Sequence, residues 1–196
     1  MFNEFELTFT EICSQHINTA YAKANVILEY GAGGSTLLAA KLGKTVITTE
    51  TNPAWLIELM GAYKEKKLSG DIIPIYADIG QTKAWGYPVD DTSHLKWPDY
   101  AQKSWRYCDE HQLCPDLILI DGRFRVATFL ACCASITKPT TLIFDDYQKR
   151  EYYHIVTQLF EPVNIIDDRM AIFKIKPKKI SATFILENMN FFLDPR

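Results

Sequence analysis

The stretch VILEYGAGGSTLLAAKLG, residues 26–43, decides the fold. Its apolar run carries the acid Glu29 near its end, turns through Gly31, Gly33 and Gly34, and continues with helical spacing over 34–42. Strand, glycine turn and helix in this order open a strand–helix–strand unit. The next strand, TVITTE at 45–50, completes it and ends in Glu50, nineteen residues after Gly31. Outward from there the alternation goes on. Strands are predicted at 71–77, 116–121 and 140–145, and helices at 53–67, 123–136 and 149–160. Continuous apolar strands alternating with helices predict a parallel sheet covered on both faces. After 160 the pattern changes: PVNII (162–166) and MAIFKIK (170–176), split by Asp167, Asp168 and Arg169, predict an antiparallel hairpin.

Phe5, Phe9, Ile12, His16 and Ala20 recur at three- and four-residue spacing, which predicts an amphipathic helix over 3–22. Two segments stand outside the alternation. The connection 78–115 holds Trp85, Tyr87, Trp97, Tyr100, Trp105 and Tyr107, and reads either as a cover over a ligand or as a hydrophobic cluster on the sheet. The tail 177–196 starts basic and ends apolar; it reads as a homodimer or partner contact, or as an extra strand on its own sheet.

The 196 residues suit one domain, 1–196, of α/β size. A net charge of −3 gives no electrostatic footprint for nucleic acid. Five cysteines without CxxC spacing indicate neither a disulfide framework nor a zinc site, and fit free thiols in a reducing compartment. The acidic N-terminus lacks a signal-peptide core, and no run reaches the roughly 18 apolar residues of a membrane span. A soluble cytoplasmic protein without membrane contact is expected.

In an open α/β sheet a ligand binds beyond the carboxyl ends of the strands, where strand order reverses. The turn after the first strand lies there, and its glycines allow close backbone approach. The N-terminus of helix 34–42 offers unpaired N–H groups to a carboxylate or phosphate, with Ser35 and Thr36 adding hydroxyls. Glu50 can accept both hydroxyls of a ribose. Dinucleotides and S-adenosylmethionine share this layout. The third glycine of the dinucleotide fingerprint is Thr36 here, and Glu29 has no role in that fingerprint, whereas it suits a ligand with an ammonium group.

The pattern E-x-G-x-G-G-S at 29–35, with Glu50, Asp78 and the terminal hairpin, resembles the class I S-adenosylmethionine-dependent methyltransferases over roughly residues 22–176. The resemblance implies a Rossmann-like three-layer sandwich with a mostly parallel seven-stranded sheet, the last strand antiparallel beside the fifth. It also implies that Glu29, Gly31, Gly33, Ser35 and Thr36 border the methionine part, Glu50 binds the ribose, Asp78 lies near the adenine, and Asp121 adjoins the cofactor. The expected function is methyl transfer to a small-molecule acceptor, at oxygen. A non-catalytic cofactor-binding or partner-docking protein of the same fold, and an NAD-dependent oxidoreductase, are the alternatives.

Asp121, Asp145 and Asp146 fall at the carboxyl edge of adjacent strands. Three converging carboxylates would hold a hard cation such as Mg²⁺ or Ca²⁺, and the pattern resembles metal-dependent O-methyltransferases. Helix capping by Asp121 and Asp146 is the structural alternative. Without a metal, Asp121 or His154 is the candidate base. Arg123 and Arg125 flank the same edge, where they would either grip an anionic acceptor or pair with the aspartates.

Overall fold

The computed structural model describes residues 5–196. Its sheet has seven strands in the order β3-β2-β1-β4-β5-β7-β6. These are β1 (Val26–Tyr30), β2 (Thr45–Glu50), β3 (Asp71–Tyr76), β4 (Leu117–Ile120), β5 (Thr140–Phe144), β6 (Asn164–Ile166) and β7 (Met170–Ile175). β1 to β5 run parallel; β7 lies antiparallel beside β5 and pairs with β6 in a hairpin. Asp167 and Asp168 both adopt the left-handed conformation, φ 53° and 48°, in the three-residue connection that reverses the chain between β6 and β7.

Alternate side chains of each strand enter opposite faces. Ile27, Val46, Leu117, Leu119 and Ile143 pack on α1 (Glu11–Lys23), α2 (Gly34–Lys41) and α3 (Pro53–Glu65). Leu28, Ile47, Ile118, Ile120, Leu142 and Phe144 pack on α4 (Pro98–Glu110) and α5 (Arg125–Ser135). The result is the expected three-layer sandwich. No helix among the described residues is long and apolar enough to cross a membrane.

Four elements depart from the sequence reading. The first helix begins at Glu11, capped by Thr10, whose hydroxyl accepts from Cys13 N. Residues 5–10 carry no helix, and residues 3 and 4 lie outside the described residues. Phe5 is held instead by Trp55, ring centroids 4.7 Å apart. The connection 78–115 contains a full helix, α4, which buries Tyr100, Ala101, Ser104, Trp105 and Cys108 against the sheet. The predicted helix 149–160 is a 3-10 run, Glu151–Gln158. Finally, the tail forms a short helix, α6 (Ala182–Glu187), and a 3-10 turn (Met189–Leu193), not a strand. Its half-buried Phe184, Phe191 and Phe192 pack on the chain's own core, while Ile185, Leu186, Met189 and Leu193 stay exposed.

Candidate active site

Strand order reverses between β2 and β4 on either side of β1. Beyond the carboxyl ends of these strands lies a cavity of about 970 Å³, near the upper end of ~300–1,000 Å³ for ligand pockets. Its wall includes Gly31 to Ser35 after β1, Glu50 to Asn52 after β2, Asp121 to Arg123 after β4, and Asp146 and Arg150 after β5. Arg169 reaches it from the β6–β7 turn. Residues 6–9, ahead of α1, are a part of the wall that was not foreseen, and the loop 82–87 brings the start of the 78–115 connection to it. That loop is a small hairpin, closed by a Thr82–Pro88 bridge and a 2.7 Å bond from Lys83 N to Tyr87 O.

The glycines of the turn differ in what they permit. Gly31 has φ +100°, and a Cβ there would stand 3.0 Å from the Gly122 backbone. Gly34 is backed by the Glu6 carbonyl, 2.6 Å from where its Cβ would be. A Cβ on Gly33 would meet nothing within 4 Å, and its backbone, φ 178°, is open to any residue. Gly31 and Gly34 are therefore required by the protein's own packing, while Gly33 keeps open space beside the first turn of α2, where helical N–H groups lack intrahelical partners.

Glu29 is behind this turn, entirely buried and not on the cavity wall. Its carboxylate accepts from Tyr21 Oη and Thr36 Oγ1, each at 2.5 Å. Thr36 Oγ1 in turn accepts from Gly33 N at 3.0 Å. Burial raises the Glu29 pKa, and the hydroxyl donors partly offset that. Glu29 and Thr36 thus brace the turn from behind, and neither lines the cavity wall. Gly31, Gly33, Ser35 and Glu50 do face the cavity. Glu50 Oε1 accepts from Thr51 N (2.7 Å) and Asn52 N (3.1 Å), and Oε2 from Ala32 N (3.3 Å). These bonds hold the carboxylate at the mouth of the turn. Asp78 is elsewhere: it forms a 2.7 Å ion pair with Lys96, which holds its pKa down, and it is absent from the wall. Thr51, Asn52 and the 82–87 hairpin occupy the region beyond Glu50.

The three aspartates of the strand edge do converge, but each meets arginine. Arg169 binds Asp145 through Nε (2.8 Å) and Nη2 (2.7 Å). Asp146, itself left-handed at φ 55°, meets Arg150 at 2.7 Å and Arg169 at 3.3 Å. Asp121 meets Arg125 at 3.2 Å. The carboxylates that would neutralise a cation already neutralise these side chains. Among the described residues no group of three or more His, Cys, Asp or Glu could hold a metal ion. The donor set does not fit Mg²⁺, and the metal expectation is corrected accordingly. The capping alternative fails too, because α5 starts at Arg125 after a left-handed Phe124 and has no side-chain cap.

Asp121 remains on the wall. Burial pushes its pKa up to about 8, with Asp145 adding to the rise and Arg125 opposing it. His154, the other candidate base, is spent elsewhere: its Nε2 lies 3.3 Å from the Tyr147 carbonyl, its ring packs on Tyr147, and it does not line the cavity.

The fold and this strand-edge cavity define a nucleotide-type α/β enzyme frame, and known proteins make it specific. The crystal structure of a methyltransferase-like protein from Silicibacter pomeroyi DSS-3 is 38% identical, with 98% of this chain and 99% of that one aligned at a TM-score of 0.89. The chain belongs to that methyltransferase-like family. An O-methyltransferase from Bacillus cereus in complex with SAH shares the fold at 15% identity, covering 86% of this chain and 82% of that one, TM-score 0.61. So does the O-methyltransferase TomG from Streptomyces achromogenes in complex with SAM, at 11% identity, 87% and 82% coverage and TM-score 0.61. No family model matches the sequence, and no curated protein matches it.

Proposed function

We propose that the protein transfers the methyl group of S-adenosylmethionine to an oxygen of a small-molecule acceptor. The observation that carries this reading is Gly33. Neither its backbone angles nor any neighbouring atom forbids a side chain, yet the position is bare where the turn meets the cavity. Gly31, Gly33 and Ser35 would border the methionine part, and Glu50 would accept from the ribose hydroxyls. When bound, the cofactor supplies a methyl group on a positively charged sulfur, which is left as a neutral thioether once the methyl passes to the acceptor oxygen.

The chain's own contribution is alignment and proton removal. Asp121 takes the proton that the acceptor hydroxyl gives up. Its raised pKa makes it a better base near neutrality than an ordinary carboxylate. Arg125, 3.2 Å away, keeps that carboxylate in place. Glu29, Thr36 and Tyr21 hold the turn rigid. Five free cysteines, four of them buried, fit a reducing compartment, and we assign the protein to the cytoplasm.

Calorimetry tests the reading directly. S-adenosylmethionine should bind the unmodified protein, and NAD should not. Thr36 stands where the dinucleotide fingerprint has its third glycine, and it is buried against Glu29. Binding of NAD alone would refute the proposal.

A further inference from the structure

Four arginines stand on the cavity wall, and three of them have acidic partners. Arg125 meets Asp121 and Asp146, Arg150 meets Asp146, and Arg169 meets Asp145 and Asp146. Arg123 is the exception. No ion pair includes it among the described residues. It is only 8% exposed, its guanidinium lies 4.1 Å from the centre of the Tyr87 ring, and its Nη1 is buried without a hydrogen-bond partner. Thr48 Oγ1 and Trp105 Nε1 are also buried and unpaired, but neither carries charge and neither lines the cavity. An unpaired buried guanidinium destabilises a fold.

Arg123 is also held in place. Its backbone N–H donates to Tyr100 Oη at 3.2 Å, and Gly122 must lack a side chain because a Cβ there would collide with that hydroxyl. Tyr87 covers one face of the guanidinium, and the Gly86 backbone closes over its stem, a Cβ there standing 3.8 Å from Arg123 Cγ. A side chain fixed in this way, at a cost to stability, is arranged for a ligand.

We infer that Arg123 is a specificity residue that receives a carboxylate carried by the methyl acceptor, an inference that rests on the methyltransferase reading for the word acceptor. The guanidinium carries one charge, and with a face covered it is met in its plane, which suits a planar monoanion bound by two parallel N–H groups. A dianionic phosphate would bring two negative charges to Arg123, the one arginine of the wall whose single charge has no acidic partner among the described residues. The substrate class is therefore a hydroxy acid, methylated on its hydroxyl and held by its carboxylate. The first turn of α2 accounts separately for the carboxylate of the cofactor.

The experiment compares the unmodified protein, Arg123→Met and Arg123→Lys by thermal melting with benzoate, its neutral counterpart benzamide, and inorganic phosphate at matched ionic strength. S-adenosylmethionine affinity is measured in parallel by calorimetry. Benzoate should raise the melting temperature of the unmodified protein and benzamide should not. Arg123→Met should melt higher than the unmodified protein without ligand, having lost the orphan charge, and should not respond to benzoate. Arg123→Lys, which keeps the charge but loses the fork, should respond about tenfold more weakly. All three should bind S-adenosylmethionine with similar affinity.

Equal stabilisation by benzoate and benzamide, or an undiminished benzoate response in Arg123→Met, would overturn the proposal. Stronger stabilisation by phosphate would overturn the choice of a carboxylate. A loss of S-adenosylmethionine affinity of about tenfold in Arg123→Met would assign the arginine to the cofactor and overturn its role toward the acceptor. If the unmodified protein bound no S-adenosylmethionine, the methyltransferase reading would fail, while the benzoate comparison would still judge the arginine itself.

Discussion

Arg169, in the turn between β6 and β7, grips Asp145 at the end of β5 with two hydrogen bonds of 2.8 and 2.7 Å, and Asp145 has no exposed surface. The hairpin is thereby tied to the parallel part of the sheet at the edge of the cavity. Removing the arginine leaves a buried carboxylate without its partner. Arg169→Met should lower the unfolding free energy by about 3–5 kcal/mol, read as a shift in the urea midpoint. In the unmodified protein, Mg²⁺ and EDTA should leave both the melting temperature and S-adenosylmethionine affinity unchanged. Stabilisation by Mg²⁺ would restore the cation site that the ion pairs exclude.

The two outer roles of the glycine turn separate by mutation. Gly33→Ala should keep the melting temperature and weaken S-adenosylmethionine binding by about tenfold or more, because a methyl group then occupies ligand space. Gly31→Ala should instead destabilise the fold, since φ +100° and the Gly122 backbone both oppose a side chain. Calorimetry and thermal melting on the same two proteins decide it; the reverse pattern would show that Gly33 is only part of the turn.

Asp121 gives a pH prediction with a definite sign. Its pKa in the folded protein is raised to about 8, whereas an unfolded aspartate titrates near ~3.9. Between those values the folded state holds more protons, so stability contributed by this group falls as pH rises. Asp121→Asn should flatten that part of the stability profile. Methyl transfer should move the other way, rising with pH as the base ionises and levelling above about 8. A rate independent of pH from 5 to 9 (a range of about four units around the base's pKa) would remove Asp121 from the role of base.

The tail supports the active edge through its main chain. Phe124 N donates to the Pro195 carbonyl at 3.3 Å, and Arg125 N to the Arg196 carbonyl at 2.9 Å, so the first turn of α5 is completed by residues about seventy positions away. A chain ending at Asn188 should lose about 2 kcal/mol as Phe191 and Phe192 are withdrawn from the core. Hydrogen exchange should quicken at Phe124 and Arg125. Unchanged protection there would mean that α5 holds its start without the tail.

The strands were legible because each carries its own signal. LILI of β4 is apolar without interruption, and VILEY of β1 is apolar but for the buried Glu29, as burial on both faces demands. The helix α4 was hidden in a stretch read for its aromatic rings, although Tyr100, Ala101, Ser104, Trp105 and Cys108 carry a helical period and Pro98 marks its start. Phe5 and Phe9 matched the spacing of α1, yet the Thr10 cap ends that helix first. The position of Glu50 followed from strand length and turn chemistry. The pairing of Arg125 with the aspartates was legible as one of two readings, but Arg150 and Arg169 were not, because they come from a loop and a hairpin turn that only the tertiary fold brings to this edge.

The 82–87 hairpin gives the protein an optical reporter. Trp85, at its tip, is 82% exposed and adopts a left-handed backbone, φ 62°, on the cavity wall. Of the other three tryptophans, Trp97 and Trp105 are buried, and Trp55 is partly covered by Phe5. Emission open to a soluble quencher such as acrylamide therefore comes mainly from one indole, and it stands where a ligand would be enclosed. Occupancy of the cavity should be visible as quencher protection of that indole in unlabelled protein, before any acceptor is known.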